Sequence, residues 1–170
     1  KNNALFSLEG LANVIANTSD IYEANGTVYI VSVYMNGRTF TEHQGDTLHD
    51  CVSLLIGAAK ALRHIHNAGY LYLDLKPDNI LTLEGSLDLV QLFDFDSIIS
   101  TEEFEKALQN NNPSELRISY TKGYASLEQQ TGKLRQLGKH SDIYSLGAVL
   151  FYALWHKTPS AFDCDSAAVY

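Results

Sequence analysis

The stretch from Tyr72 to Asn79 carries side chains whose types and spacing suit chemistry. Asp74 and Lys76 are two residues apart, Asn79 comes three residues after the lysine, and a further acid, Asp94, comes fifteen residues after Asn79. A carboxylate can position an attacking hydroxyl, and a lysine can neutralise a phosphoryl group as it moves. An asparagine and a second carboxylate can hold divalent cations through oxygen. Together these residues predict metal-assisted phosphoryl transfer.

Two hairpins are predicted around these residues. Asn25-Gly26, a dipeptide typical of tight turns, precedes a run rich in β-branched and aromatic residues at 27–34. The runs 80–83 and 87–93 flank Glu84-Gly85-Ser86 and predict the second hairpin. The candidate catalytic residues therefore lie at strand ends and in loops.

Helical periodicity predicts two long helices. One ends near Asn67, and its apolar side chains recur at steps of three and four along one face. This predicted buried stripe consists of Leu48, Val52, Leu55, Ala59, Leu62 and His66. The other helix, from Ile143 to Trp155, is apolar on nearly every face, which predicts a buried central helix. Ser141 and Asp142 are expected to cap its start.

Two further segments have weaker patterns. The apolar stretch from Leu5 to Ile15 has helical character. Between Asp94 and Glu128 the composition turns polar, and a connection this long in a compact domain is usually functional or mobile. We expect poor order around Asn110 to Ser114.

The composition excludes several classes of protein. The 170 residues, 45% of them apolar, suit one domain with a sizeable core, and the net charge of −8 argues against nucleic-acid or anionic-membrane binding. Cys51 and Cys164 are far apart and neither lies in a metal-type pair. This favours reduced thiols and a cytoplasmic location. No apolar run is long enough to span a membrane, so no membrane segment is expected in this chain.

From about Asn17 to Pro159 the chain resembles the eukaryotic-type Ser/Thr protein kinases, particularly their bacterial members. Five segments carry the resemblance in the family's order: 29–37 (strand and hinge that contact adenine), 72–79 (catalytic loop), 94–96 (metal-binding triplet), 123–129 (end of the activation segment) and 141–147 (start of the buried helix). The resemblance implies an α+β, protein-kinase-like fold. Its large lobe would be mainly helical, with a remnant of the small-lobe β-sheet.

The resemblance also implies a role for each candidate catalytic residue. Asp74 would be the catalytic base. Lys76 would contact the transferring phosphate and, with Thr121, orient Asp74, which is the pattern of Ser/Thr phosphorylation. Asn79 and Asp94 would hold Mg²⁺. Taken alone, Asp74 could be a solvated loop carboxylate, and Asn79 or Asp94 could simply form a turn.

An ATP site is implied in the same way. Val33, Tyr34 and Met35 would contact the base through backbone groups. Leu81 would lie beneath adenine, although an apolar strand residue is more often plain core. Ser32 would be the gatekeeper, and its small side chain would leave a deep pocket behind the adenine. Alternatively, Ser32 is an ordinary strand serine.

Several positions depart from the family pattern. Tyr72 and Leu73 stand where His and Arg are usual, so the arginine that binds an activation-loop phosphate is absent. Four hydroxyl residues are therefore expected to be ordinary loop residues rather than switches: Ser97, Ser100, Thr101 and Ser119. Asp96 replaces a glycine, which adds a carboxylate near the metal and reduces backbone freedom.

The nucleotide-clamping part of the family is not found in the 170 residues. There is no Gly-rich loop and no Val-Ala-Ile-Lys strand, and Glu9 is a poor candidate for the glutamate that pairs with that lysine. We therefore expect residues 1–35 to be a remnant of the kinase small lobe, a helix and a β-hairpin. Residues 36–170 would form an incomplete large lobe.

The expected function is ATP- and Mg²⁺-dependent transfer of the γ-phosphate to Ser or Thr hydroxyls of protein substrates by the complete form. The chain as given should be weakly active or inactive, because phosphate positioning supplies most of the catalysis. A pseudokinase that acts as a binding or scaffold module without phosphotransfer is the alternative, motivated by Tyr72, Leu73 and Asp96. A small-molecule phosphotransferase of related fold is disfavoured, because such relatives generally lack the segments 123–125 and 141–147.

Overall fold

The computed structural model describes residues 18–32, 34–43, 47–83, 89–109 and 118–159, which combine helices with small antiparallel sheets. The described strands are β1 (Thr18–Ala24), β2 (Thr27–Ser32), β3 (Gly37–Thr39), β4 (Tyr70–Leu71), β5 (Ile80–Leu83), β6 (Val90–Leu92) and β7 (Ile99–Ser100). The described α-helices are α1 (Leu48–Asn67), α2 (Thr101–Gln109), α3 (Leu127–Gln130) and α4 (Lys139–Trp155). Short 3₁₀-helices lie at Phe40–His43, Pro77–Asn79 and Leu134–Gln136.

β1 and β2 form the first predicted hairpin. Its turn has positive φ at both Asn25 (53°) and Gly26 (71°), which is the left-handed backbone that a two-residue turn of this kind requires. Tyr22 and Tyr29 pair across the strands, and their rings stack with centroids 5.1 Å apart. The hairpin prediction is confirmed. The predicted helix at 5–15 lies outside the described residues.

β5 and β6 pair antiparallel as predicted for the second hairpin, whose predicted turn, Glu84-Gly85-Ser86, lies outside the described residues. β3 pairs with the other edge of β5. Ile80 lies opposite Leu92, so the residue before β5 and the residue after β6 meet at one end of the sheet. The N–H of Phe93 donates to the carbonyl of Asn79 at 3.3 Å. The hairpin therefore brings the segments that carry Asn79 and Asp94 together.

The buried face of α1 differs from the predicted stripe. Leu48 and Val52 are 58% and 41% exposed. Leu55, Leu62 and His66 of the predicted stripe are buried, and Ala59 is half-buried. The other buried residues of the helix are Cys51, Leu54, Gly57, Ala58, Ala61 and Ile65. The prediction was wrong in its first half because α1 carries apolar residues on more than one face. α1 packs against α4, and its buried residues include the small Gly57, Ala58 and Ala61.

α4 is also less buried than its composition predicts. Ile143, Leu150 and Trp155 are 54%, 39% and 57% exposed. The buried positions are mostly small or polar: Ser141, Asp142, Ser145, Ala148, Val149 and Tyr152. The prediction of a fully buried helix was therefore wrong for the described part of the chain. Contacts with α1 and the loops decide which side is covered, because an all-apolar helix has no periodic signal.

The predicted cap of α4 is confirmed for Ser141 and was wrong for Asp142. The helix begins at Lys139, with Gly138 at the capping position, and the N–H of Gly138 donates to Oγ of Ser141 at 3.3 Å. Asp142 lies inside the first turn, where its carboxylate contacts another part of the chain instead of capping the helix.

The polar connection after Asp94 contains a helix that the sequence pattern did not reveal. Thr101 begins α2, and both its N–H and its hydroxyl donate to the carbonyl of Gly69, at 2.8 and 2.9 Å. Phe104 is the buried anchor of this helix. The apolar pattern of α2 is too short to predict a helix, because Phe104 and Leu108 are its only two large apolar residues. The expectation for 110–114 lies outside the described residues.

Among the residues described, no helix combines the length and the apolar character needed to cross a membrane.

Candidate active site

A buried carboxylate from α4 holds the backbone just before Asp74. Asp142 is fully buried, and it accepts hydrogen bonds from the N–H groups of Tyr72 at 3.0 Å and Leu73 at 2.7 Å. Its Oδ2 also lies 2.7 Å from Nε2 of His66 on α1. Leu73 has a φ of 65°, a left-handed conformation that is costly for a non-glycine residue. Asp142 therefore fixes the backbone of the loop that leads to Asp74.

Asp74, Lys76 and Thr121 form a closed triangle of polar contacts. Nζ of Lys76 lies 3.0 Å from Oδ2 of Asp74 and 3.2 Å from Oγ1 of Thr121. The hydroxyl of Thr121 donates to Oδ1 of Asp74 at 2.6 Å. The Asp74 side chain is 12% exposed and that of Lys76 is 21% exposed, so the pair is shielded from water yet reachable. Both carboxylate oxygens are therefore oriented by charge-assisted or hydroxyl hydrogen bonds.

Asn79 connects the end of the loop back to Asp74. Its Nδ2 donates to the backbone carbonyl of Asp74 at 3.0 Å and lies 3.4 Å from Oδ2. Asn79 is buried at the start of β5, and Asp94 lies exposed just beyond β6 with a φ of 60°. An amide that donates through nitrogen still has an oxygen, which is a suitable ligand for a hard cation.

Tyr72 links the two acidic positions. Its side chain is fully buried, its hydroxyl donates to the carbonyl of Phe93, and its ring meets that of Phe95 edge-on at 5.5 Å. Burial raises the pKa of Tyr72 well above its ordinary value of 10.0, and the charges of Asp74 and Asp94 raise this pKa further. The charges of Asp74 and Asp94 therefore both disfavour ionisation of the Tyr72 hydroxyl. The sequence identified Tyr72 only as a departure from the His that is usual in the family pattern. It did not predict the hydrogen bond from Tyr72 to Phe93.

The candidate nucleotide residues are only partly described. Val33 lies outside the described residues, and Ser32 ends β2. Tyr34 is 89% exposed and Met35 is half-buried. The segment they form leads into β3, which pairs with β5, where Leu81 is half-buried opposite Gln91.

Gln129 is a supporting residue that sequence reasoning missed. It is 4% exposed, its Oε1 accepts from the N–H of Ser126 at 3.1 Å, and its Nε2 donates to the carbonyl of Leu73 at 2.8 Å. The capping pattern of Ser126 and Gln129 could have been read from the sequence. The bond to Leu73 could not, because it joins residues 56 positions apart.

The hydroxyl residues expected to be ordinary loop residues have local structural partners. The hydroxyls of Ser97 and Ser119 lie 2.8 Å apart, and Thr101 bonds to Gly69. The hydroxyl of Ser100 accepts from the N–H of Glu103 at 3.5 Å. Ser100 lies in β7 and Thr101 begins α2, so the expectation of loop residues was wrong for these two; Ser97 and Ser119 do lie outside helices and strands.

Glu128 joins α3 to the start of α4. Its carboxylate accepts from Oγ of Ser141 at 2.6 Å and lies 3.4 Å from Nε2 of His140. Burial alone would raise the pKa of Glu128, but hydrogen bonds, above all the one from Ser141, and the charge of His140 hold this pKa below its ordinary value of 4.5.

Replacing Glu128 by Gln is expected to lower the free energy of unfolding by about 1 kcal/mol at neutral pH, because Ser141 then lacks a charged acceptor. The folded pKa of Glu128 is depressed, so this stabilisation is complete above pH 4.5 and is lost as the pH falls through the folded pKa. Urea unfolding of both proteins across this range measures the difference. A difference that stays constant on acidification would contradict the pKa assignment.

Comparison with known proteins agrees with this geometry. A family model described as the protein kinase domain matches residues 4–168. The chain is 31% identical to serine/threonine-protein kinase PrkC of Bacillus subtilis, over 90% of the chain and 22% of that protein. It is 28% identical to serine/threonine-protein kinase D of Synechocystis sp., over 81% of the chain and 26% of that protein. It is 29% identical to serine/threonine-protein kinase PknA of Nostoc sp., over 85% of the chain and 25% of that protein.

The chain thus spans about a quarter of the length of the curated relatives that it matches. The match to the family model, by contrast, covers nearly all of its 170 residues. Because this match covers nearly the whole chain, the chain belongs to the protein kinase domain family, and it is similar to bacterial Ser/Thr kinases.

Proposed function

We propose that this chain is part of a Ser/Thr protein kinase, which transfers the γ-phosphate of ATP to Ser and Thr hydroxyls of protein substrates. The observation that carries the proposal is the triangle of Asp74, Lys76 and Thr121. A general base needs an oriented oxygen within reach of solvent-borne substrate, and phosphoryl transfer needs a nearby cation. The triangle supplies both in one place.

Each member of the triangle has a distinct role in the proposal. Asp74 accepts the proton of the attacking hydroxyl. Lys76 contacts the phosphoryl group as negative charge develops on it, and its bond to Asp74 holds the carboxylate in place. Thr121 orients Asp74 from the end of the activation segment, so that folding of that segment and alignment of the base are coupled.

Kinase domains use ATP and a divalent metal, and we propose Mg²⁺ as the metal here. Mg²⁺ is usually held by one or two protein oxygens together with substrate phosphates and water. Asn79 and Asp94 supply an amide oxygen and a carboxylate at one end of the β5–β6 hairpin. When bound, the cation would neutralise charge on the β- and γ-phosphates.

The base of ATP is proposed to lie between the hinge and β5. Val33, Tyr34 and Met35 would form the hinge side, Ser32 would be the gatekeeper, and Leu81 would lie beneath adenine. In this arrangement residues 1–35 belong to the small lobe and 36–170 to the large lobe. We also propose a cytoplasmic location, because the widely spaced Cys51 and Cys164 suit a reducing compartment.

The function is tested by incubating the full-length protein with radiolabelled ATP, Mg²⁺ and a protein substrate mixture, followed by phosphoamino acid analysis. Label on phosphoserine and phosphothreonine is the expected result. Nucleotide binding without any labelled product would instead support the pseudokinase, and label on a small molecule alone would contradict the choice of a protein substrate.

The Asp94→Ala variant is expected to lose the Mg²⁺-dependent part of the thermal stabilisation by ATP. Ligand that binds only the folded state raises stability by RT ln(1 + [L]/Kd), so loss of a metal ligand lowers the shift directly. Differential scanning fluorimetry with ATP, with and without Mg²⁺, measures this effect. Glu105→Ala, which removes an exposed carboxylate of α2, serves as the control. Persistence of the full Mg²⁺ effect in Asp94→Ala would remove Asp94 from the metal site.

A further inference from the structure

A groove of about 500 Å³ lies beside the C-terminal end of α2, away from the residues assigned to catalysis. Its described lining consists of Leu108, Gly132, Lys133, Leu134, Arg135 and Gln136. Leu108 comes from α2, and the other five come from the loop between α3 and α4. The volume is in the range of pockets that bind a small ligand or a few side chains of a partner.

The groove carries positive charge on an acidic protein. Lys133 and Arg135 are both exposed, in a chain whose net charge is −8. One guanidinium nitrogen of Arg135 donates to the carbonyl of Leu108 at 3.4 Å, which places this side chain across the groove. Two cations that are two residues apart in the sequence attract anionic groups and repel cationic ones.

The floor of the groove is apolar. Leu108 and Leu134 pack against a satellite core, which is formed by Leu71, Leu73, Ile99, Phe104 and Leu137. A ligand that fits both features has a carboxylate for the cations and an aliphatic group for the two leucines. A simple anion would satisfy the charges but leave the leucines exposed to water.

The loop that carries the cations is held by its own backbone bonds. The N–H of Lys133 donates to the carbonyl of Glu128 at 2.9 Å, and the N–H of Gln136 donates to the carbonyl of Lys133 at 2.8 Å. Leu134 to Gln136 form a 3₁₀ turn. A preformed loop lowers the entropic cost of binding.

We propose that this groove docks an acidic peptide segment of a protein partner, in which Asp or Glu lies next to an aliphatic residue. The choice of a protein as ligand rests on the proposed function. Leu134 and Leu73 belong to the same satellite core, and Leu73 directly precedes Asp74, so a partner held in the groove is connected to the catalytic loop through this core. Docking there raises the local concentration of substrate at Asp74.

The test measures binding separately from phosphate transfer. Fluorescein-labelled peptides in a Gly/Ser host are titrated with full-length protein that carries Asp74→Asn, and fluorescence anisotropy is recorded. One peptide has a central Glu-Glu-Leu-Leu block, a second has Lys-Lys-Leu-Leu, and a third has Glu-Glu-Ser-Ser. We expect the first peptide to bind most tightly, because it alone satisfies both the cations and the leucines.

The decisive variant is Lys133→Glu with Arg135→Glu. We expect it to weaken binding of the Glu-Glu-Leu-Leu peptide by roughly tenfold or more, since charge reversal replaces attraction by repulsion at close range. The matched control is Lys60→Glu with Arg63→Glu, which changes the same number of charges at exposed positions of α1. The control should bind as the parent does. Equal weakening in both double variants, or equal binding of all three peptides, would overturn the proposal.

Transfer assays separate this proposal from the proposed function. With Asp74 restored, a substrate that contains the Glu-Glu-Leu-Leu block should show a KM raised roughly tenfold by Lys133→Glu with Arg135→Glu, and an unchanged kcat. Transfer to protein without binding of the peptide would overturn the groove and leave the kinase assignment standing. Peptide binding without any transfer would support the groove and contradict the kinase assignment.

Discussion

Replacing Asp74 by Asn is expected to lower the rate of phosphate transfer by about a thousandfold, because a positioned general base typically contributes 10²- to 10⁴-fold. Asn has nearly the same shape and can still accept the hydroxyl of Thr121, but it cannot take up a proton. It also removes the charge that Lys76 faces at 3.0 Å. Initial rates of label transfer from radiolabelled ATP, measured with full-length protein, give the ratio.

The control for this experiment is the same substitution in the same loop at Asp78. The Asp78 side chain is exposed, and its carboxylate accepts from the hydroxyl of Thr41 at 2.7 Å. Asp78→Asn should therefore retain most of the activity. ATP-dependent thermal shifts in both variants check that the nucleotide site is intact. Equal transfer by Asp74→Asn and the parent protein would remove Asp74 from its role.

Replacing Asp142 by Ala is expected to lower the free energy of unfolding by about 3 kcal/mol, because it leaves the buried N–H groups of Tyr72 and Leu73 without an acceptor. It also removes the partner of the His66 ring at 2.7 Å. For a chain of this length such a loss corresponds to a decrease of roughly 10 °C in Tm. Urea and thermal unfolding measure both quantities.

Two further variants make the Asp142 result specific. Asp142→Asn keeps one acceptor oxygen and should lose less stability than Asp142→Ala. Ser145→Ala lies on the same buried side of α4, where Ser145 donates only to the carbonyl of Ser141 at 3.2 Å, and should cost about 1 kcal/mol or less. If Asp142→Ala and Ser145→Ala unfold at the same urea concentration, Asp142 does not hold the loop.

The loss of Asp142 should also affect transfer more than stability alone explains. Leu73 adopts a left-handed backbone while Asp142 accepts its N–H, and Asp74 is the next residue. Without this acceptor the loop can relax, and small displacements of a catalytic base reduce rates strongly. Transfer measured well below the Tm of the variant separates this effect from unfolding.

The turns and the main elements were predictable because their signals are local. Asn25-Gly26 requires only two residues that tolerate positive φ, and the strands on either side are rich in β-branched and aromatic residues. The helix now described as α1 ended where predicted, at Asn67. The short helix α2 was missed because Phe104 and Leu108 alone form its apolar pattern.

The order of residue types along the chain was enough to indicate a phosphoryl-transfer loop and the protein kinase domain family. Contacts between distant segments were needed for the rest: Thr121 reaches Asp74 across 47 positions, and Asp142 reaches Tyr72 across 70. Contacts between distant segments also determine which sides of α1 and α4 are buried. The free energy that selects these arrangements arises only when the two helices pack, exclude water and bury Asp142 with its partners. No short window of sequence contains this contribution to the free energy, which is why the buried faces of the two helices were misassigned.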